Sequence, residues 1–145
     1  MDMLFTLQTL SRYGLIWQQM QEGADLIDDE VIVANVMKEH PEFDPFWNAG
    51  ETAVHPQEID GYIVTPLIHA GLHVVAEKQI SERSPEEVET TLKTLVARSV
   101  SRHDAMHQII AIWGNLYFQS IRQGASLYEW EYIELLTSLT RSPKP

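Results

Sequence analysis

The sequence predicts an all-α protein, a compact helical bundle of about five helices forming one domain over residues 1–145. Three observations predict it. Apolar residues recur at three- and four-residue spacing through most of the chain, the period that lines one face of a helix. Helix start and stop signals flank those stretches. Residues 40–65 break the pattern with prolines, glycines and aromatics, and read as a long irregular loop between the second and third helices.

Taken in order, Leu4, Leu7, Leu10, Ile16, Trp17 and Met20 mark a first helix, and Gly23 is placed to end it. Residues 29–39 form a shorter second helix with Val31, Ile32, Val33, Val36 and Met37 apolar. Pro41 stops it, because proline has no N–H to continue the ladder. Thr65-Pro66 supplies an N-cap followed by proline at the first helical position, opening a third helix to about Ile80. Ser84-Pro85-Glu86-Glu87 has the form of a capping box, and the helix it opens can run to Gln123, where Gly124 closes it. Within that segment Ser101-Arg102-His103-Asp104 is a second cap signal, which would divide it near residue 100. Ser126-Leu127-Tyr128-Glu129 starts the last helix, ending near Thr140, and residues 141–145 are expected to fray.

Composition excludes several classes of function. Ten basic residues face 21 acidic ones, a formal charge of −11, with no basic stripe of the kind a nucleic-acid binder needs. An acidic surface also disfavours anionic membranes. The N-terminus lacks a basic flank, and polar residues interrupt its apolar positions, so neither a signal peptide nor a spanning helix is expected and the location is read as cytoplasmic. No glycine-rich phosphate loop, His-Glu-x-x-His or Gly-x-Ser-x-Gly occurs. There is no cysteine, so a metal would be held by imidazole, carboxylate or water: zinc or iron first, copper or nickel as alternatives.

Four of the six histidines fall in two pairs with the same spacing, His69 with His73 and His103 with His107. Residues four apart lie one turn apart on the same helical face, so each pair can present two imidazoles side by side. At about 100° per residue, His69 and His73 share the arc of Ile68, Leu72, Val75, Ala76 and Ile80. His103 and His107 share theirs with Met106, Ile110, Trp113, Gly114, Tyr117, Phe118 and Ile121. Both pairs are therefore expected to face inward, where an imidazole that has lost its hydration needs a hydrogen bond or a metal. Two such helices packed together would converge four nitrogen ligands on one divalent ion.

Carboxylates are less specific. Glu39, Glu42, Glu77 and Asp104 are candidates to orient the ligands, with Glu42 or Glu77 as a general base if the site is catalytic. Asp104 could equally be the third residue of a helix cap. Neither histidine pair has the Glu-x-x-His form of a di-iron site. His40 reads as part of a helix end and His55 as loop surface. The alternative function is an interaction module whose histidines form a structural hydrogen-bond network, its acidic face meeting a basic protein partner. A small-molecule substrate and haem held by one histidine from each pair are the further alternatives.

The stretch Glu39-His40-Pro41-Glu42-Phe43, the segment Thr65 to Gln79 with its His-x-x-x-His, and Arg102 to His107 followed by Gly114 carry a resemblance. Together they resemble, over roughly residues 15–140, a bacterial family known as domain of unknown function 1841. The resemblance implies an all-α protein and no particular activity. Carried onto matching positions it marks His40, Glu42, His69, His73, His103 and His107. Thr65 stands where asparagine is usual.

Overall fold

The computed structural model describes residues 7–141, and α-helices dominate it. They are α1 (Leu7–Gln21), α2 (Asp29–Lys38), α3 (Pro66–Glu82), α4 (Glu86–Ala97), α5 (Arg102–Gln123) and α6 (Glu129–Thr140). The all-α expectation holds. Leu4, expected in the first helix, and residues 142–145 of the expected frayed tail lie outside the described residues. No described helix is long and apolar enough to cross a membrane.

The interval between α2 and α3 is more ordered than expected. It holds two 3-10 helices, Pro41–Phe46 and Gly50–Val54, and a hairpin of β1 (Gln57–Ile59) with β2 (Tyr62–Val64). The strands are antiparallel, with Gln57 opposite Val64 and Ile59 opposite Tyr62. Asp60 and Gly61 form the connection with φ of 53° and 85°. Two positive φ values in a two-residue loop match the twist of a hairpin, and Asp-Gly is the pair that adopts them cheaply. That dipeptide was the available sequence signal. Three-residue strands are too short for alternation to reveal them.

Helix ends follow local chemistry, with three adjustments. Gly23 and Gly124 end α1 and α5 with φ of 72° and 61°. At each, two N–H groups reach back to carbonyls of the last turn: Gly23 to Met20 and Ala24 to Gln19, then Gly124 to Ile121 and Ala125 to Ser120. The 84–123 segment is divided, as its internal cap signal allowed. Ser101 Oγ accepts the Asp104 N–H at 3.1 Å to open α5, which places Asp104 in the cap. The break just before it uses Ser99 at φ 70° in the role glycine plays elsewhere, with Ser99 N–H on Val96 and Val100 N–H on Leu95. The other two expected capping boxes do not form: Pro85 rather than Ser84 stands at the N-cap of α4 and Tyr128 at that of α6, neither start having a side-chain cap bond. A β-carbon disfavours left-handed backbone, so Ser99→Gly is expected to raise stability by up to about 1 kcal/mol, read as a higher urea midpoint at unchanged slope.

The chain divides into two compact units, residues 1–74 and 75–145, with α3 running through the division. In the first, α1 packs on α2, and the core joins Tyr13, Ile16, Val33, Val36, Met37, Phe43, Trp47, Leu67 and Val74. Gly14 permits a close approach there, since a β-carbon would stand 3.3 Å from the Trp47 carbonyl oxygen. In the second, α4 packs on both α5 and α6. Val88, Leu92 and Leu95 of α4, Ile109 and Leu116 of α5, and Tyr132 and Leu136 of α6 are buried. Helix α3 departs from the usual one-sided pattern: no residue from Pro66 to Ile80 is exposed.

Each unit buries a tyrosine. Burial pushes the Tyr13 hydroxyl up to about 12, against a smaller opposing pull from Arg12, and it raises Tyr132 as well. Tyr132 donates to Gln79 Oε1 at 2.8 Å. A phenol that resists ionisation only when folded holds its full stability below its unfolded value near 10 and loses it as pH climbs. Unfolding free energy should therefore be flat in this respect below about pH 10 and should fall between about 10 and 12. The Tyr13→Phe variant should flatten that alkaline decline in urea titrations. An identical decline in Tyr13→Phe would contradict the assignment.

Candidate metal centre

His40 is positioned by its backbone before its ring is considered. It follows the C-cap of α2, and Pro41 after it disfavours a helical conformation, so the chain turns there into the first 3-10 helix. The His40 N–H donates to Met37 O at 3.1 Å, and its carbonyl accepts from Phe43 N–H at 3.0 Å. The ring is held too: Nδ1 lies 2.8 Å from the Val36 carbonyl oxygen, which can only accept. Nδ1 therefore carries the proton and Nε2 the lone pair. A ligating histidine is commonly oriented by such a bond from its other ring nitrogen.

His69 and His73 approach the same spot from the first half of α3. Their one-turn spacing brings the Nε2 atoms to 3.2 Å. Ring centroids lie 4.5 Å apart for His40 and His73, 5.2 Å for His40 and His69, and 4.8 Å for His69 and His73. The ring nitrogens that these three could offer to one ion lie within 4.8 Å of one another. His40 and His73 are each 1% exposed, and His69 is half-buried. Phe43 covers one side, stacked on His40 at 5.3 Å with 10° between planes and edge-on to His69 at 5.6 Å. Trp47 backs Phe43 at 5.7 Å and is itself anchored by donating Nε1–H to Asp44 at 2.9 Å.

The second pair meets as its spacing requires. His103 and His107, on α5, have ring centroids 4.2 Å apart and are both half-buried. Met106, Ile110, Trp113, Gly114 and Tyr117 of the expected inward arc are buried, while Asp104, Asn115, Gln119 and Arg122 are exposed. Ala105, Ile109, Leu116 and Ser120 form a further buried face, a consequence of α5 packing on α4 and α6.

The carboxylate candidates are elsewhere occupied or exposed. Glu77 takes Arg102 at 2.6 and 3.2 Å on its two oxygens. Glu39 and Glu42 are exposed, as are Asp104 and His55. Among the described residues no aspartate or glutamate joins the histidine group. The residue that spacing alone did not recruit is His40. Its signal was the His40-Pro41 helix end, which the family resemblance marked and helical periodicity could not.

Chemically, three imidazoles with little water around them can do one of two things. They can share protons: at 3.2 Å either His69 or His73 donates Nε2–H to the other. Or they can hold a cation. Two nitrogens bound to one tetrahedral zinc at about 2.0–2.1 Å stand about 3.3 Å apart, so the His69–His73 separation suits a shared ion as well as a hydrogen bond.

Comparison with known proteins returns one family: the model described as Domain of unknown function (DUF1841) matches residues 8–138. No curated protein and no solved structure matches the chain.

Proposed function

We propose, for a chain that belongs to the DUF1841 family, that its histidine cluster binds a divalent transition metal. The observation that carries this reading is the His40 ring, buried, with Nδ1–H tied to the Val36 carbonyl and Nε2 left as the lone-pair nitrogen. A ligating histidine is commonly held by such a bond from its other ring nitrogen, which leaves a lone pair to offer to an ion. His40, His69 and His73 supply three nitrogens. His107 of α5, the inner member of the second sequence pair, is proposed as the fourth. His103 then acts behind His107, holding its ring by an edge-on contact.

An all-imidazole set suits zinc or iron(II), with copper and nickel next. Four imidazoles on a tetrahedral ion close its shell, which favours a structural or storage role. A catalytic role needs one of the four to stand off and admit water. The competing reading is a metal-free polar network, with which the Nε2 to Nε2 distance of 3.2 Å is equally compatible.

Elemental analysis separates the two. Protein purified without a histidine tag or added metal should carry about one equivalent of transition metal, and restoring metal to chelated protein should raise its melting temperature. A metal-free preparation whose melting temperature ignores zinc, iron(II), copper and nickel would sink the proposal in favour of the network. A Soret band would point to haem instead.

A further inference from the structure

The first turn of α6 carries a feature that the histidine cluster does not use. Tyr128 and Trp130 are 56% and 63% exposed, with ring centroids 6.4 Å apart and 29° between planes. Two large aromatic rings side by side in solvent forgo burial that would stabilise the fold, which marks the patch as a contact surface. Beside them opens a cavity of about 100 Å³ between the end of α5 and the start of α6. Leu116 and Leu127 contribute apolar walls, Gln119 and Gln123 offer amides, and Tyr128 is part of the lining. Glu131, half-buried, is the single charged residue lining it.

Size and sign decide what fits. Pockets for whole small molecules run to about 300 Å³ or more, so this one admits a single long side chain rather than a cofactor. A helix N-terminus by itself would attract an anion, with roughly half a positive charge. Here Glu129 and Glu131 in the first turn of α6 outweigh it, and Glu134 follows. Between residues 119 and 135 three glutamates face one arginine. Aromatic faces beside a carboxylate are the combination that holds a desolvated ammonium or guanidinium. The net charge of −11 adds a long-range field that draws basic molecules.

We propose that the Tyr128–Trp130 shelf and its adjoining cavity dock a basic peptide segment, one lysine or arginine side chain entering toward Glu131 with its stem against the aromatic rings. The site is independent of the histidine cluster.

Calorimetric titration of the full chain with a tetra-arginine peptide tests it, beside a peptide with glutamine at those four positions. The basic peptide should bind and the glutamine peptide should not. Tyr128→Ala and Glu131→Gln should each weaken binding about tenfold, within the range of cation–π and paired-charge contributions. Trp130→Phe should retain most of the affinity that Trp130→Ala loses. Glu58→Gln, which removes the same charge from an exposed position on β1, should stay within about twofold. Melting temperatures establish that each variant is folded. Equal losses in Glu58→Gln and Glu131→Gln would reduce the effect to net charge and overturn the site. So would the absence of binding at millimolar peptide, or adsorption to phosphatidylcholine vesicles through Trp130 without peptide binding.

Discussion

His40→Ala and His73→Ala are each expected to lower zinc affinity by well over about 100-fold, while His103→Ala, which removes a group that orients a ligand, costs about tenfold. Removing a group that merely orients a ligand already costs about 10–100-fold, and removing a ligand costs more. The contrast matters because all three substitutions delete an imidazole. His40 and His73 are fully buried and meet at 4.5 Å, whereas His103 is half-buried and meets a single histidine edge-on. Competition against a chromophoric chelator reads the affinities. Zinc at 1,000 times its dissociation constant should stabilise the unaltered protein by about 4 kcal/mol, and that increment should vanish in His40→Ala. Equal weakening by all three substitutions would contradict the ligand set. Loss of stability in His40→Ala without any zinc dependence in the parent would return the cluster to a hydrogen-bond network.

Phe43→Ala is expected to destabilise the protein by about 3–5 kcal/mol and to weaken metal binding by about 10–100-fold. The ring is 3% exposed and bridges two systems. On one side it packs against Trp47 in the core of the first unit, and on the other it stacks on His40. Deleting it opens a cavity and releases the wall that holds the His40 plane. Phe43→Leu should recover much of the stability, since it refills volume, but less of the metal affinity, since it cannot stack. Urea unfolding gives the first quantity and zinc competition the second. A Phe43→Leu variant that recovers both equally would show that bulk alone positions His40.

How much could be read from the residues depended on the reach of the interaction. Gly23 and Gly124 end helices where expected, because a left-handed terminus is decided by one residue and two backbone bonds. Ser101 was legible for the same reason. The boxes at Ser84 and Ser126 were not, since the same pattern of residues is compatible with a start one or two positions later. The Asp60-Gly61 hairpin was hidden by the brevity of its strands, and Ser99 by being a residue that rarely takes positive φ.

At the site the division is the same. One turn of helix obliges residues four apart to be neighbours, so the meeting of His69 with His73 and of His103 with His107 was determined by the sequence alone. So was the absence of any thiolate donor, because the chain has no cysteine. His40 is different: 28 residues separate it from His69, and its ring reaches the pair only because two 3-10 helices and a hairpin fold the intervening chain back on α3. No periodicity encodes that return. It is settled by the burial of Phe43 and Trp47, whose apolar contacts offset the entropy of closing the loop, and by a Val36 carbonyl that turns the ring to face its neighbours.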